Sequence, residues 1–191
     1  MVSAILAGGE NTRFPAQKAF IEIEGRRLIE RTIETLQGLF PEVLISTNRP
    51  EEFFYLGLPM IGDVYDVRGP LTGIFSVLYA SGAERVFVLA CDMPFPNPEL
   101  IKALRDTDGP AVVPLWRGRP QPLLGHYGRQ LLPEMERRIL QGRVGLRDFL
   151  RETGAVFVPE AEVSALDPQG LSFLNINTPE DLKRVLDTVR R

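Results

Sequence analysis

The stretch AILAGGENTRFPAQK, residues 4–18, determines how the rest of the chain is interpreted. An apolar run over residues 2–7 stops at Gly8 and Gly9, and mostly polar residues follow up to Lys18. A run of this kind is typical of a buried strand in a parallel sheet. Because the loop that leaves such a strand emerges at the carboxyl edge of the sheet, it lies where open α/β sheets bind their ligands.

The composition of this loop favours a phosphate ligand. Gly8 and Gly9 have no Cβ, so backbone N–H groups can approach a phosphate closely, and Arg13 and Lys18 add positive charge. The same glycines would serve equally well in a plain turn after the strand. The loop has neither the G-x-x-x-x-G-K-[ST] pattern nor the G-x-G-x-x-G pattern, which excludes the standard P-loop and the standard dinucleotide fingerprint.

Length and composition are those of an ordinary globular protein. With 191 residues, 44% of them hydrophobic and 25% charged, we expect a single domain over 1–191 with a buried core. The net charge of −3 provides no broad basic field, so we expect no nucleic-acid partner. No apolar run approaches the roughly 18 residues of a membrane span, and no secretory signal is visible.

Cysteine and histidine are each present once. One cysteine, Cys91, excludes an internal disulfide and fits a cytoplasmic location, and we interpret it as a small buried hydrophobe. One histidine, His126, excludes a histidine-based metal cluster, and we interpret it as a packed or surface side chain.

Segments of strand and helix character alternate along the chain. This alternation predicts a three-layer, Rossmann-like α/β domain with a mostly parallel central sheet. Apolar runs predict strands at residues 2–7, 20–24, 43–46, 60–63, 85–90, 111–115 and 155–159, with an edge strand at 123–127. Helical spacing predicts helices at residues 27–37, 71–81, 97–105 and 133–140, a short one opened by loop 142–148, and a last one from 178.

Three polar residues follow predicted strands at the edge of the sheet that carries Gly8. Asn48 comes just after the strand at 43–46, Asp63 lies just past the end of the next strand, and Asp92 follows five apolar residues. Asn48 suits either a turn or a hydrogen bond to a nucleotide base or ribose, and Asp63 suits a turn equally well. Asp92 could cap the following turn, but a magnesium ligand fits better, because one or two carboxylates hold Mg²⁺ at phosphate sites.

Two basic loops and a pair of asparagines complete the candidate residues. The loops at 116–122 and 142–148 suit either a solvated surface or the binding of an anionic substrate. Asn175 and Asn177 lie on one side of a short alternating segment, and Thr178 is the expected N-cap of the last helix.

Six short motifs run through the chain in a defined order. They are LAGG at 6–9 followed by Arg13 and Lys18, TNR at 47–49, GPLTG at 69–73, CDMP at 91–94, QPL at 121–123 and NINTPE at 175–180. In this order they resemble the molybdenum cofactor guanylyltransferase family over nearly the whole chain. The Ala-Gly-Gly order within the first motif favours GTP, because related cytidylyltransferases usually carry Ala-Ala-Gly there.

The resemblance implies an enzyme that transfers GMP from GTP to molybdopterin, giving the guanine dinucleotide cofactor and pyrophosphate. It implies a requirement for Mg²⁺ held by Asp92, and catalysis by Arg13, Lys18 and Asp92 through charge neutralisation. The residues implied to bind GTP are Leu6, Ala7, Gly8, Gly9, Lys18, Asn48, Asp63 and Asp92. Those implied for the pterin side are Arg119, Gln121, Arg143, Arg147, Asn175 and Asn177. The partners implied are GTP, molybdopterin and, among proteins, molybdoenzymes or upstream cofactor-synthesis proteins.

The loop before Lys18 departs from the family pattern. Where the family usually has Arg-Met-Gly-x-Asp-Lys, this chain has RFPAQK at 13–18, so Pro15 replaces a glycine and Gln17 replaces an acid. Pro15 removes a backbone donor and stiffens the loop. Two other functions stay open: a nucleotidyltransferase of the same fold that uses CTP or a sugar phosphate, and a GTP-binding adaptor without turnover. Pro15 and Gln17 are the features that keep the adaptor open.

Overall fold

The computed structural model describes residues 1–7 and 18–189, so the predictions for Gly8, Gly9, Arg13, Pro15 and Gln17 lie outside the described residues. Its strands are β1 (Val2–Leu6), β2 (Glu22–Ile23), β3 (Arg26–Arg27), β4 (Val43–Ser46), β5 (Met60–Ile61), β6 (Arg85–Ala90), β7 (Ala111–Trp116), β8 (Arg119–Pro120), β9 (Leu124–Gly128) and β10 (Val156–Val158). Its α-helices are α1 (Leu28–Gln37), α2 (Pro70–Ser81), α3 (Pro98–Asp106), α4 (Leu132–Leu140), α5 (Leu146–Glu152), α6 (Glu160–Leu166) and α7 (Pro179–Val189). Among these helices, the sequence patterns miss α6.

The central sheet of the described residues has the strand order β5-β4-β1-β6-β9-β7-β10, and β8 pairs with the end of β7. β1 pairs in parallel with β4 and with β6, so Ile5 stands between Ile45 and Leu89. β4 and β5 are also parallel, as are β7 and β10, whereas β9 runs antiparallel to both of its neighbours. The prediction of a mostly parallel sheet is therefore confirmed.

The sequence predicts an edge strand at residues 123–127, and this placement is wrong. β9 lies between β6 and β7, and all of its residues are buried. Gly125 permits the close pairing, because a Cβ there would lie 2.2 Å from the backbone oxygen of Val112. Because β9 contains two glycines and a histidine, its hydrophobicity pattern does not indicate a buried strand. The edge strands of the described sheet are β5 and β10.

Helices cover both faces of the sheet and complete the predicted three layers. α1, α3 and α6 pack on one face through a core that includes Ile33 and Leu104. α2, α4 and α5 pack on the other face through a core that includes Ile74 and Phe149. Burying a side chain of this size stabilises the fold by about 1.5–3 kcal/mol. A smaller third cluster joins the β2–β3 hairpin to α7, and it consists of Ile21, Ile23, Leu28, Ile176 and Val185.

Hydrogen bonds at the helix starts agree with the sequence. Asn97 caps α3, because its Oδ1 atom accepts hydrogen bonds from the N–H groups of Glu99 at 2.8 Å and Leu100 at 3.2 Å. Thr178 caps α7 as predicted, because its hydroxyl accepts the N–H of Asp181 at 3.2 Å. In the described part of the chain, none of the helices has both the length and the apolar character needed to cross a membrane.

The order of the strands creates a crevice between β1 and β6. From β1 the chain moves outward through β4 to β5, and it then returns across the sheet to β6 on the other side of β1. Open α/β sheets bind ligands outside the carboxyl ends of the strands at such a switch point. We therefore expect a ligand-binding site among the residues that follow β1, β4 and β6.

Candidate active site

An open cleft with a volume of about 860 Å³ lies at the carboxyl ends of β1, β4 and β6. Its floor is held together by two backbone hydrogen bonds, from Ala7 N to Ser46 O at 2.9 Å and from Cys91 N to Leu6 O at 3.2 Å. The described residues that line it are Leu6, Ala7, Lys18, Ala19, Ser46, Thr47, Asn48, Arg49, Asp63, Arg68, Gly69, Pro70, Gly73, Ala90, Cys91, Asp92 and Leu123. Every described residue that the sequence assigns to GTP is in this set.

Lys18 and Asp92 line one end of the cleft, which we call the Lys18–Asp92 end, and Asn177 contacts Lys18 from outside the lining. Lys18 Nζ donates a hydrogen bond to Asn177 Oδ1 at 2.5 Å and lies 3.5 Å from Asp92 Oδ2. The N–H of Ile176 donates to Asp92 O at 3.0 Å, which ties the segment before α7 to the loop after β6. Side chains from three separate motifs thus meet at one point.

Buried neighbours position two of these three side chains. Ala19 is buried in the short 3-10 turn that Lys18 begins. Ile176 is fully buried between the exposed residues Asn175 and Asn177. The predicted alternation of this segment is therefore confirmed, although the segment is not a strand.

Asp92 is a carboxylate with only 20% of its side chain exposed. Burial raises the pKa of Asp92 above its ordinary value, and the nearby ammonium of Lys18 offsets only part of that rise. Burial also raises the pKa of the partly buried Cys91 thiol to about 12, so Cys91 stays protonated near neutral pH and is not a nucleophile. A further cation beside Asp92 would stabilise its ionised form.

The other end of the cleft holds Asn48 and Asp63 in a reciprocal pair, and we call it the Asn48–Asp63 end. Asn48 Nδ2 donates to Asp63 Oδ2 at 2.7 Å, and Asp63 N donates to Asn48 Oδ1 at 2.7 Å. The register of the sheet explains the pair. Ser46 stands beside Ile61 in the parallel pairing of β4 with β5, so the residues two places further along lie side by side.

The absence of a side chain at Gly73 leaves a gap next to Asp63. A Cβ added to Gly73 would lie 3.1 Å from Ser46 Oγ, 3.7 Å from Leu6 Cδ2 and 3.8 Å from Asp63 Oδ1. Those three side chains therefore surround a common space. Ser46 and Gly73 are not among the predicted site residues, although the sequence carries a signal for each. Ser46 ends a predicted strand, and a glycine within a helix costs about 1 kcal/mol relative to alanine.

The residues predicted for the pterin side lie in different places. Asn177 is at the Lys18–Asp92 end, and Asn175 is exposed two residues earlier. Arg119 lies in β8 and Gln121 just after it, where Gln121 Nε2 donates to Arg119 O at 3.3 Å. Neither Arg119 nor Gln121 lines the cleft, although Leu123 does.

The remaining two pterin-side predictions belong to the loop around α5. Arg143 and Arg147 are exposed, do not line the cleft, and Arg143 Nη2 lies 3.5 Å from Glu152 Oε1. The loop nevertheless reaches the mouth of the cleft, because a Cβ added to Gly69 would lie 3.1 Å from Val144 Cγ2. Val144 thus borders the cleft, whereas neither arginine forms part of its wall.

His126 is packed in the sheet and takes no part in the cleft. It is fully buried in β9, its Nε2 atom lies 2.9 Å from Thr107 O, and its Nδ1 atom has no hydrogen-bond partner among the described residues. Burial lowers the pKa of His126 below its ordinary value. Of the two interpretations offered by the sequence, the packed one is correct.

The donor set fits a cation whose coordination is completed by phosphate oxygens. Within residues 1–7 and 18–189, no three His, Cys, Asp or Glu side chains come together as a ready-made metal cage. Asp92 instead presents a largely desolvated carboxylate to the cleft. Mg²⁺ at phosphate sites uses one or two carboxylates and takes its other ligands from phosphate and water, so Asp92 fits this ion.

A mostly parallel sheet with a switch-point cleft that carries a carboxylate at each end is typical of nucleotide-binding α/β domains. A family model described as the MobA-like NTP transferase domain matches residues 3–156. The chain therefore belongs to the MobA-like NTP transferase family.

Individual relatives extend the similarity to almost the full length. A molybdenum cofactor guanylyltransferase from Desulfosudis oleivorans is 34% identical over 184 residues, which cover 94% of this chain and 91% of that protein. A probable molybdenum cofactor guanylyltransferase from Aquifex aeolicus is 32% identical, and the match covers 95% of this chain and 88% of that protein. The crystal structure of molybdopterin-guanine dinucleotide biosynthesis protein A from Archaeoglobus fulgidus has a TM-score of 0.86 at 29% identity, covering 100% of this chain and 99% of that one.

Proposed function

We propose that this protein is a molybdenum cofactor guanylyltransferase, which transfers GMP from GTP to molybdopterin and releases pyrophosphate. The observation that carries the proposal is the full-length similarity to proteins of that name, at 34% identity over 94% of the chain for the Desulfosudis oleivorans relative. The position of Leu6, Ala7, Lys18, Asp63 and Asp92 around a single cleft supports it.

The nucleotide is proposed to lie along the cleft with its guanine at the Asn48–Asp63 end. A carboxylate oxygen of Asp63 is a suitable acceptor for the N1–H and N2–H donors of guanine. The triphosphate then extends toward Lys18, where the ammonium and the backbone of Leu6, Ala7, Gly8 and Gly9 contact it. Arg13 is proposed to bind the phosphates as well.

The reaction is a nucleotidyl transfer that needs no general base. An oxygen of the terminal phosphate of molybdopterin attacks the α-phosphorus of GTP, a new P–O bond forms, and the bond between the α-phosphorus and its bridging oxygen breaks. Pyrophosphate leaves with that electron pair. Because the attacking phosphate is already an anion at neutral pH, the protein has to neutralise charge rather than remove a proton.

Charge neutralisation is the proposed task of the Lys18–Asp92 end. Lys18 binds phosphate oxygens, and Asn177, which accepts a hydrogen bond from Lys18 Nζ, holds the ammonium in place. Asp92 would hold Mg²⁺, which would supply a positive charge for the α-phosphate and for the departing pyrophosphate. Removing one such preorganised contact typically lowers the rate by about 10²–10³-fold.

The second substrate is proposed to enter beside Asn175 and Asn177, where the segment before α7 meets the cleft. Arg119, Gln121, Arg143 and Arg147 are proposed as more distant contacts to its anionic groups, since they lie on exposed loops outside the cleft wall. The proposed setting is the cytoplasm, where GTP is made. The proposed protein partners are molybdoenzymes that receive the product, or proteins that supply molybdopterin.

The test is pyrophosphate release from ATP, CTP, GTP and UTP with Mg²⁺, measured with and without molybdopterin, together with identification of the dinucleotide product. We expect release from GTP only when molybdopterin is present, and formation of the guanine dinucleotide. Selectivity for CTP, or turnover with a sugar phosphate, would assign the protein to another transferase of the same fold. GTP binding without release from any nucleotide would favour an adaptor.

A further inference from the structure

The sequence assigns Asn48 to the nucleoside, but in the structure its amide group is engaged by Asp63. Asn48 Oδ1 accepts the N–H of Asp63 at 2.7 Å, and Asn48 Nδ2 donates to Asp63 Oδ2 at 2.7 Å. One N–H of Nδ2 and one lone pair of Oδ1 are left over. Both polar atoms of the Asn48 side chain are therefore directed at Asp63.

The backbone of the residue after Asp63 is hydrogen-bonded to helix α2. Val64 N donates to Ser76 Oγ at 2.9 Å, and Ser76 Oγ donates in turn to Thr72 O at 2.7 Å. Asn48 thus holds Asp63 from β4, and Ser76 holds the next residue from α2. An aspartate fixed on both sides has little freedom to turn its carboxylate.

One oxygen of Asp63 faces the gap that Gly73 leaves open. Asp63 Oδ2 is used by Asn48, whereas Oδ1 accepts no hydrogen bond from the described residues and lies 3.8 Å from the position of a Cβ on Gly73. Guanine presents N1–H and a 2-amino group on one edge. An acceptor held in a fixed direction recognises such donors at a lower entropic cost than a free one.

We infer that Asn48 is a positioning residue, which fixes the Asp63 carboxylate toward the guanine edge and acts on the nucleotide only through Asp63. This inference rests on the proposed function, because it takes GTP as the nucleotide. It gives Asn48 a defined signature: loss of Asn48 should weaken binding of GTP and discrimination against ITP, which lacks the 2-amino group. Turnover at saturating GTP should change little.

A double-mutant cycle tests whether Asn48 acts through Asp63. Dissociation constants for GTP and for ITP are measured by calorimetry for the wild type, Asn48→Ala, Asp63→Ala and the combined variant, and kcat and KM are measured for pyrophosphate release. We expect Asn48→Ala to weaken GTP about tenfold and ITP less, and the combined variant to be no weaker than Asp63→Ala. Additive losses would show that Asn48 contacts the nucleotide directly, and unchanged GTP affinity in Asn48→Ala would equally overturn the inference.

Two further variants separate positioning from folding. Glu51→Ala, at an exposed position in the same loop, serves as the matched control and should bind GTP like the wild type. The exchange Asn48→Asp with Asp63→Asn restores a reciprocal pair, with an amide on one side and a carboxylate on the other. We expect it to bind GTP more tightly than Asp63→Asn alone, and equal or weaker binding would contradict a role through the pair.

The outcomes also distinguish failure of this inference from failure of the proposed function. If the wild type binds GTP but transfers nothing to molybdopterin, the proposed function fails, and the cycle in dissociation constants still decides the role of Asn48. If the wild type binds no GTP, both fail together.

Discussion

The two ends of the cleft each hold one aspartate, and they hold it by different means. Asp92 is mostly buried and faces the ammonium of Lys18, and burial raises its pKa. Asp63 is paired with the neutral amide of Asn48 and keeps one oxygen free of hydrogen bonds from the described residues. A desolvated carboxylate beside a cation suits a place where charge changes during a reaction. A carboxylate oriented by an amide suits recognition of a neutral base.

This difference implies a division of kinetic effects along a single cleft. Substitutions at the Lys18–Asp92 end should lower kcat, because they remove contacts that strengthen in the transition state. Substitutions at the Asn48–Asp63 end should raise KM for GTP, because they remove binding that is the same in the ground state and the transition state.

The largest effect is expected for Asp92→Asn. This change keeps the shape of the side chain but removes the charge that would hold Mg²⁺, so kcat should fall by about 10²–10³-fold. Steady-state pyrophosphate release over a range of Mg²⁺ concentrations measures it, with Asp108→Asn, whose side chain is fully exposed, as the control. Activity close to that of the wild type would remove Asp92 from the chemistry.

A smaller loss is expected for Asn177→Ala, which leaves Lys18 without its hydrogen-bond acceptor at 2.5 Å. An ammonium that is free to move neutralises phosphate charge less well, so we expect kcat to fall about tenfold with a smaller change in KM for GTP. Gln169→Ala, at an exposed position before α7, is the matched control. A change in KM alone would mean that Asn177 contributes to nucleotide binding rather than to the placement of Lys18.

A change that affects GTP binding more than stability is expected for Gly73→Ala. The added methyl group enters the gap beside Ser46 and Asp63, where its nearest contact is 3.1 Å, so KM for GTP should rise several-fold. Alanine is the better helix former by about 1 kcal/mol, but the close contact of the buried methyl group with Ser46 Oγ opposes that gain, so the free energy of unfolding should change by less than about 1 kcal/mol. Thermal unfolding and GTP kinetics together measure it, and Ser81→Ala at the far end of the helix is the control.

The smallest effect is expected far from both ends, at His126. Since burial lowers the pKa of His126 below its ordinary value of 6.5, the unfolded chain takes up a proton first as the pH falls. The free energy of unfolding should therefore decline from about pH 6.5 downward by up to about 1.4 kcal/mol per pH unit, until the folded histidine is also protonated. Denaturant unfolding at several pH values measures this decline.

His126→Gln provides the comparison for that experiment. A glutamine amide can still donate to Thr107 O but does not titrate, so the contribution of His126 to the pH dependence should disappear while KM for GTP stays constant. A decline of the same size in His126→Gln would assign it to other groups.

The ends of the strands were the part of the site that the sequence could reveal. Asp63 and Asp92 follow apolar runs directly, and the carboxyl ends of parallel strands share one edge, so their common location follows from pattern alone. The contact between Lys18 and Asn177 spans 159 positions in the sequence, and no local pattern encodes it. The pairing of Asn48 with Asp63 depends on the register of β4 against β5, which becomes visible only in the folded sheet.

The same reasoning explains the error in strand order. A hydrophobic pattern reports whether a strand is buried, but it does not report which strands lie beside it. β9 contains Gly125 and His126, which weaken its pattern, and its place between β6 and β7 is set by close backbone packing at Gly125. The layers and the mostly parallel sheet therefore follow from the sequence, whereas the position of this strand does not.

The most direct test of the account is a crystal structure of the protein with a non-hydrolysable GTP analogue and Mn²⁺ in place of Mg²⁺. We expect guanine beside Asp63 Oδ1, the phosphates beside Lys18, and an anomalous Mn²⁺ peak at Asp92. A guanine bound at the Lys18–Asp92 end, or an analogue bound outside the cleft, would contradict the division of the cleft into a base-binding end and a phosphate-binding end.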